Sequence, residues 1–189
     1  MKKTVPALTL FFTLLVALAP LQKAHAVKDP NVLKAGISYV WLSDYDSQGL
    51  MFYNKYNRYL GDRLSLGFHL AALNASRYDS RKEIYTIRNT FYMGSLDIAY
   101  DLMQTEMLRA RIGAGPGVRH RAEINSNIDD GTLDGSVRHV RTSDVGFYGY
   151  LENDFNILRN GVSGFRIEYF YYTEGSPVLS IGFHMGFRF

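Results

Sequence analysis

The side chains best suited to chemistry are charged residues that occupy alternate positions within apolar segments. Arg109 and Arg111 alternate with apolar residues in residues 107–118, and Glu152 and Asp154 end a similar run in residues 144–156. A period of two places such residues on one face of a β-strand. Because both signs of charge occur, we expect ion pairs in a polar interior, with an acid–base site as the alternative. The candidates are Lys34, His69, Asp97, Arg109, Arg111, Glu152, Asp154, Arg166, Glu168, His184 and Arg188.

The alternation that positions these residues continues through the chain after residue 26 and predicts eight β-strands. In the last segment one face carries Leu, Ile, Met and Phe, and the other carries small or charged residues. Each segment is near or above the roughly 9–11 residues that a tilted strand needs to cross a bilayer. The expected strands are residues 34–43, 49–60, 63–73, 83–100, 107–118, 144–156, 162–173 and 178–189.

Three features favour a membrane barrel, with apolar residues facing lipid and polar ones facing the lumen. Charged residues of the polar faces alternate with glycines, tyrosines gather near strand ends, and the chain ends on Phe189. Short connections also alternate with longer, more polar ones, of which residues 119–143 are the longest. The alternative is a soluble lipocalin-like barrel or a sandwich with apolar residues inside. We therefore predict an all-β fold, an eight-stranded antiparallel up-and-down transmembrane β-barrel.

The first 26 residues have the three parts of an export signal. Lys2 and Lys3 precede an apolar stretch, and Ala24-His25-Ala26 fits a small-x-small cleavage site. The apolar stretch is shorter than the roughly 20 residues of a membrane-spanning helix. We predict that residues 1–26 are a cleaved signal peptide and that residues 27–189 form the barrel.

The overall charge does not support a nucleic-acid partner. The formal net charge is +3, but residues 1–26 hold three of the 21 basic residues and no acidic one. The remaining 18 basic residues equal the 18 acidic residues in number. Nucleic-acid binding needs a net basic face. The chain contains no cysteine, which excludes disulfides and thiolate metal sites.

The chain resembles the small eight-stranded outer-membrane β-barrel proteins, the class that includes the OmpA transmembrane domain and OmpX. The resemblance covers nearly all of residues 27–189 and rests on the final strand from Leu179 to Phe189. It implies a bacterial outer-membrane location. We also expect a monomer. The resemblance also implies that the barrel-assembly machinery reads the last strand, through Phe183, Met185, Phe187 and Phe189. It carries no motif for a particular activity.

Within such a barrel, the charged residues belong to a lumen just wide enough for side chains. Buried charges must pair, so we expect a structural network formed by Asp97, Arg109, Arg111, Glu152, Asp154, Arg166, Glu168 and Arg188. Arg111 with Glu152, and Arg166 with Glu152 or Asp154, are the expected partners. A path for protons or small ions is the alternative.

The longest connection is the most distinctive segment outside the strands. Basic residues flank an acidic tip and could bind lipopolysaccharide phosphates at the outer leaflet. A solvated hairpin is the alternative. The basic cluster is Arg119, His120, Arg121, Arg138, His139 and Arg141.

We expect no catalytic residue, cofactor or metal, and predict a non-enzymatic barrel with a plugged, charged lumen. Its outer loops would stabilise the envelope or bind a surface partner. The alternatives are a hydrolase or acyltransferase that modifies lipid A, and a narrow channel. The deacylases of this barrel class use a His-x-Ser motif, which is absent here, but a Ser and a His from different strands could still meet.

Overall fold

The computed structural model describes residues 31–43, 47–79, 84–125, 138–157 and 160–189, and the expected signal peptide lies outside them. In these ranges no helix is long and apolar enough to cross a membrane. The described residues form one closed barrel in which each strand is antiparallel to the next and β8 closes on β1. The strands are β1 (Asn31–Leu42), β2 (Ser47–Tyr59), β3 (Leu64–Asp79), β4 (Ile84–Gln104), β5 (Leu108–Asn125), β6 (Arg138–Ile157), β7 (Gly161–Tyr172) and β8 (Val178–Arg188).

The two faces of the strands confirm the transmembrane barrel and exclude the soluble alternative. On β8, Phe183, Met185 and Phe187 are turned outward, whereas Ser180 and His184 are fully buried inside. Large apolar side chains cover the outer surface of all eight strands in the same way. Water-soluble barrels have the reverse arrangement, so this exterior fits the hydrocarbon of a bilayer.

Strands β3 to β6 extend beyond the expected limits. The connection expected at residues 119–143 is strand as far as Asn125 and again from Arg138, because the alternation of buried and exposed residues continues there. The inner turn expected at residues 101–106 is strand as far as Gln104. Asp101 faces the lumen there because it continues the alternation of the buried Asp97 and Ala99, and the pairing with β5 shifts register only after it, between Asp101 and Met103.

Aromatic side chains fill part of the lumen, so the tyrosines do not all lie near the strand ends as expected. Tyr92, Tyr169 and Tyr171 do face outward, but several other tyrosines are buried inside. Glycine makes room for them: a Cβ at Gly113 would overlap the ring of Tyr150 on the paired strand. The buried tyrosines are Tyr53, Tyr59, Tyr148, Tyr150 and Tyr172.

Candidate functional site: the lumen and the outer rim

A cluster around Lys34 joins β1 to the opposite wall of the barrel. Lys34 Nζ donates to Glu152 Oε1 at 2.6 Å and to Asp154 Oδ2 at 2.6 Å. Arg111 Nη1 donates to the same Glu152 oxygen at 3.0 Å, as expected from the sequence. His184 Nε2 lies 2.7 Å from Asp154 Oδ1. All five side chains are almost completely shielded from solvent, so each carboxylate depends on these cations for compensation.

Glu152, Asp154 and His184 are also close enough to share a metal ion, because their ligand atoms lie within 4.8 Å of one another. The Lys34 ammonium already bonds to both carboxylates. A divalent cation would have to displace Lys34 and leave its charge buried and unpaired, which is very costly. This arrangement favours an ion-pair cluster over a metal centre.

The inner end of the network is built on Asp101. Arg111 Nε donates to Asp101 Oδ1 at 2.8 Å, and Arg109 Nε lies 3.3 Å from Asp101 Oδ2. Both guanidinium groups also lie over the ring of Tyr59. Arg188, at the end of β8, donates to Asn156 at 2.6 Å and does not contact a carboxylate among the described residues. The expected network therefore includes Arg109, whereas Arg188 is paired with an amide at the rim.

Further toward the outer side, Asp97 accepts three hydrogen bonds. Lys55 Nζ donates to it at 3.0 Å, Tyr150 donates at 2.6 Å, and Tyr148 donates to its second oxygen. The Lys55 ammonium also lies 3.6 Å from the centre of the Tyr150 ring. Asp97 is thus held by one cation on β2 and two hydroxyl groups on β6.

Arg166 forms the last part of the charged network. Its Nε lies 2.8 Å from Glu168 Oε1 and its Nη1 3.5 Å from Glu152 Oε2, which agrees with one of its two expected partners. No contact with Asp154, the other expected partner, is recorded among the described residues. Glu168 also accepts a hydrogen bond from Ser180 and lies 3.7 Å from His69 Nε2. The Arg166 guanidinium lies over the Tyr150 ring, 3.9 Å from its centre.

Above these charges lies a layer of apolar side chains that the sequence did not predict. Its members come from β1, β2, β3, β4, β7 and β8, and most are fully buried. Phe170 stacks on Tyr148 at 5.3 Å between ring centres, so the layer is in direct contact with the network below. The layer contains Val40, Leu42, Met51, Leu73, Phe91, Met93, Phe170 and Val178.

At the outer end, Arg119 holds the β7–β8 connection against the barrel mouth. Its Nε and Nη2 donate to Asp144 at 3.3 and 2.9 Å. Its Nη1 donates to the Ser176 carbonyl at 3.0 Å, and Nη2 also bonds to the Glu174 carbonyl. The guanidinium lies 4.1 Å from the centre of the Tyr172 ring.

The structure divides the basic cluster that the sequence grouped together. Arg119 and Arg121 face the lumen, where Arg121 Nη1 donates to Glu123 at 3.4 Å. His120, His139 and Arg141 are exposed on the outside. The physical reason is that these residues lie on strands, where successive side chains point to opposite faces. Arg138 begins β6, but its side chain and the acidic tip lie outside the described residues.

Among the described residues, the outer surface also carries a Ser–His pair. His120 Nδ1 lies 3.0 Å from Ser143 Oγ across the β5–β6 ladder, and both side chains are exposed. The neighbouring outward positions on these strands are Val118, Ala122, Arg141 and Val145, none of which is a carboxylate. The pair therefore has a nucleophile and a base but no acidic residue beside them on these strands.

The proposed assembly residues lie on the seam between β8 and β1. Phe183, Met185, Phe187 and Phe189 all face outward. Phe189 exchanges two backbone hydrogen bonds with Asn31, at 3.0 and 3.2 Å, which extend the β1–β8 ladder to the last residue. Their role in recognition by the assembly machinery stays a prediction.

Three residues of the network were missed or only partly recognised at the sequence level. Lys55 lies on β2, whose tyrosine-rich faces are hard to tell apart, although strict alternation from Tyr53 to Tyr59 would have placed it inside. Asp101 continues the alternation of Asp97 and Ala99, but it was missed because the strand was expected to end at residue 100. Asp144 was expected only as the start of a strand, and its partner Arg119 was expected in a loop.

No protein-family model and no curated protein matches this chain. Several solved structures match in fold. Neisserial surface protein A (NspA) aligns with a TM-score of 0.62 and 11% identity, over 85% of this chain and 97% of that one. The N-terminal β-barrel domain of OprF from Pseudomonas aeruginosa aligns with a TM-score of 0.54 and 15% identity, over 86% of this chain and 100% of that domain. Ail from Yersinia pestis was solved in complex with the heparin analogue sucrose octasulfate. It aligns with a TM-score of 0.54 and 16% identity, over 84% of this chain and 97% of Ail. The chain therefore has the fold of the small eight-stranded outer-membrane barrels.

Proposed function

We infer that the chain is a bacterial outer-membrane barrel without enzymatic activity, with a plugged lumen and an outer rim that binds lipopolysaccharide phosphates. The observation that supports a plugged lumen is the stack of buried layers inside the barrel. The Lys34 and Asp97 clusters, the apolar layer around Phe170 and the Arg119–Asp144 pair succeed one another from the inner to the outer end. An ion crossing this stack would have to leave water and pass a layer that is mostly apolar.

The outward basic residues support the lipid-binding part of the proposal. Arg141 and His139 are exposed on β6, beyond the apolar belt that includes Val145 and Phe147. Their position outside this belt supports a contact with lipid headgroups. Arginine binds phosphate with two parallel hydrogen bonds, so Arg141 is the main expected contact.

The test compares lipopolysaccharide that keeps its lipid A phosphates with enzymatically dephosphorylated material, using the purified barrel in nanodiscs. We expect the phosphorylated form to raise the thermal unfolding midpoint of the wild type and the Arg141→Gln/His139→Gln variant to lose most of that rise. Arg58→Gln removes an exposed cation at the other end of the barrel and should keep it. Equal stabilisation by both lipid forms would contradict the proposal.

A second candidate is hydrolysis of a lipid ester by Ser143, with His120 as the base. Only the 3.0 Å separation between His120 and Ser143 favours this activity. No carboxylate on β5 or β6 lies beside the pair to orient the histidine, so the non-enzymatic barrel is preferred. Mass spectrometry of lipid A from cells that express the wild type or Ser143→Ala would test it. Identical acylation in both would exclude this activity.

A further inference from the structure

The connection between β7 and β8 reaches over the outer mouth of the barrel. Residues 173–175 are exposed on it, whereas Ser176 is fully buried. The connection is bonded to Arg119 of β5, which lies three strands away from β8 in the closed ring. Since β6 and β7 separate the two elements along the wall, they meet by extending over the opening.

Arg119 provides both hydrogen bonds that the described residues make to segment 174–177. Its Nη1 donates to the Ser176 carbonyl at 3.0 Å, and its Nη2 donates to the Glu174 carbonyl. The backbone bond recorded next to this segment is made by Thr173, before the segment begins. Residues 174–177 are therefore attached to the barrel by one side chain and by the strands at their two ends.

The guanidinium group of Arg119 is itself fixed above the apolar layer. It bonds to Asp144 through Nε and Nη2, and its carbon lies 4.8 Å from the centre of the Phe91 ring and 4.1 Å from that of Tyr172. These contacts hold the donors that face the connection. The group therefore joins the wall and the layer below to the connection above.

Two features of the connection lower the free energy needed to lift it. Gly175 has a φ of 71°, a conformation that favours glycine, whose backbone freedom suits a hinge. The Ser176 hydroxyl is buried with no hydrogen-bond partner among the described residues, and it would gain one from water when the connection lifts. The connection thus has fewer bonds to lose than the paired strands beneath it.

We propose that the β7–β8 connection, residues 173–177, is a lid over the outer end of the lumen and that Arg119 is its latch. Release of the latch lifts the lid and brings the apolar layer around Phe91 into contact with outside water, while the charged clusters at the inner end stay closed. The lid rests on the plugged barrel proposed above and is independent of lipopolysaccharide binding.

The absence of cysteine allows single thiols to report access from each end of the lumen. Met93→Cys places a thiol in the apolar layer, at the register partner of Arg119 on β4. Ser65→Cys places one near the inner end, where the serine is fully buried. A small, charged methanethiosulfonate reagent is added to barrels in nanodiscs, and mass spectrometry follows the modification rate. Heat-modifiable gel migration first establishes that each variant is folded.

The lid is opened in two independent ways. Arg119→Met combined with Asp144→Asn removes the latch without leaving a buried carboxylate unpaired. Gly175→Ala keeps every charge but adds a Cβ that would lie 2.5 Å from Arg121 Nη1 and 3.0 Å from Arg119 Nη2. Alanine also rarely adopts the backbone conformation found there, so the lid cannot seat on the latch as before.

Both changes should raise the modification rate at Met93→Cys about tenfold or more, because two hydrogen bonds from a charged donor no longer oppose opening. The rate at Ser65→Cys should not change. One matched control is Arg121→Met combined with Glu123→Gln, which removes a neighbouring ion pair without a recorded bond to the lid in the described ranges. The other is Gly61→Ala, whose added Cβ meets nothing within 4 Å. Both controls should react as slowly as the barrel with an unaltered lid.

Equal rates at Met93→Cys in the latch variant and in its control would overturn the proposal. A similar rise at both reporter thiols would also overturn it, because it would indicate a general loosening of the barrel. Fast modification of Ser65→Cys before the lid is altered would refute the plug, and a rise confined to Met93→Cys would still support the lid.

Discussion

Lys34 is the residue on which the inner charge cluster depends most. Its ammonium is fully buried and bonds to two carboxylates that belong to the same wall of the barrel. Arg111 also contacts both carboxylates, but at 3.0 and 3.7 Å, and it is shared with Asp101. Removing Lys34 would therefore leave more negative charge than the remaining cations near it can compensate.

We expect Lys34→Met to lower the free energy of unfolding by about 3–5 kcal/mol, the usual cost of removing one partner from a buried ion pair. Urea unfolding in lipid vesicles, followed by the fluorescence of Trp41, the single tryptophan, would measure it. Arg58→Met removes an exposed cation from β2 and should cost less than about 1 kcal/mol. Similar losses for the two variants would show that Lys34 carries no special role.

At the scale of the element, β8 both completes the ladder and presents the apolar face expected to direct assembly. Its residues pair with β1 on one side and β7 on the other, so the barrel closes only when β8 is in place. The two backbone hydrogen bonds between Phe189 and Asn31 are the last of this seam.

Deletion of Phe189 should therefore reduce the fraction of protein that reaches the folded, heat-modifiable form in the outer membrane. Both the terminal apolar side chain and the last two hydrogen bonds are lost. Phe189→Leu keeps the backbone bonds and an apolar side chain, and should assemble nearly as well as the wild type. The gel assay on the outer-membrane fraction measures both, and full assembly after the deletion would contradict a sorting role.

At the scale of the whole molecule, the lumen and the exterior have opposite chemistry. Fixed charges in the lumen are joined from strand to strand, while the exterior offers apolar side chains to lipid. The proposed plug predicts that the protein in planar bilayers shows no stepwise conductance, with an open sixteen-stranded porin as the positive control. Phe170→Ala should also be silent, because the Asp97 cluster and the Arg119–Asp144 pair remain on either side. Conductance steps from the wild type would refute the plug.

Much of this architecture follows from the sequence, because a strand's two faces are set by a local period of two. The alternation in residues 179–189 assigned Phe183 to lipid and His184 to the lumen, and the structure agrees. The same rule, carried one segment further, would have separated Arg119 from His120. The rule was not applied there because residues 119–143 were expected to form a loop. Where a strand ends depends on its pairing with a neighbouring strand, which the sequence does not identify.

The sequence by itself determined the barrel, its membrane-facing exterior and the charged character of its lumen, since each is repeated along every strand. Only the tertiary structure decided which charges meet, because Lys34 reaches residues that are more than 100 positions away in the chain. It also decided that β4 continues past Asp101 to Gln104 and that an apolar layer crosses the lumen. These features depend on the register of eight strands around a closed ring, which is a property of the whole sheet and of no single segment.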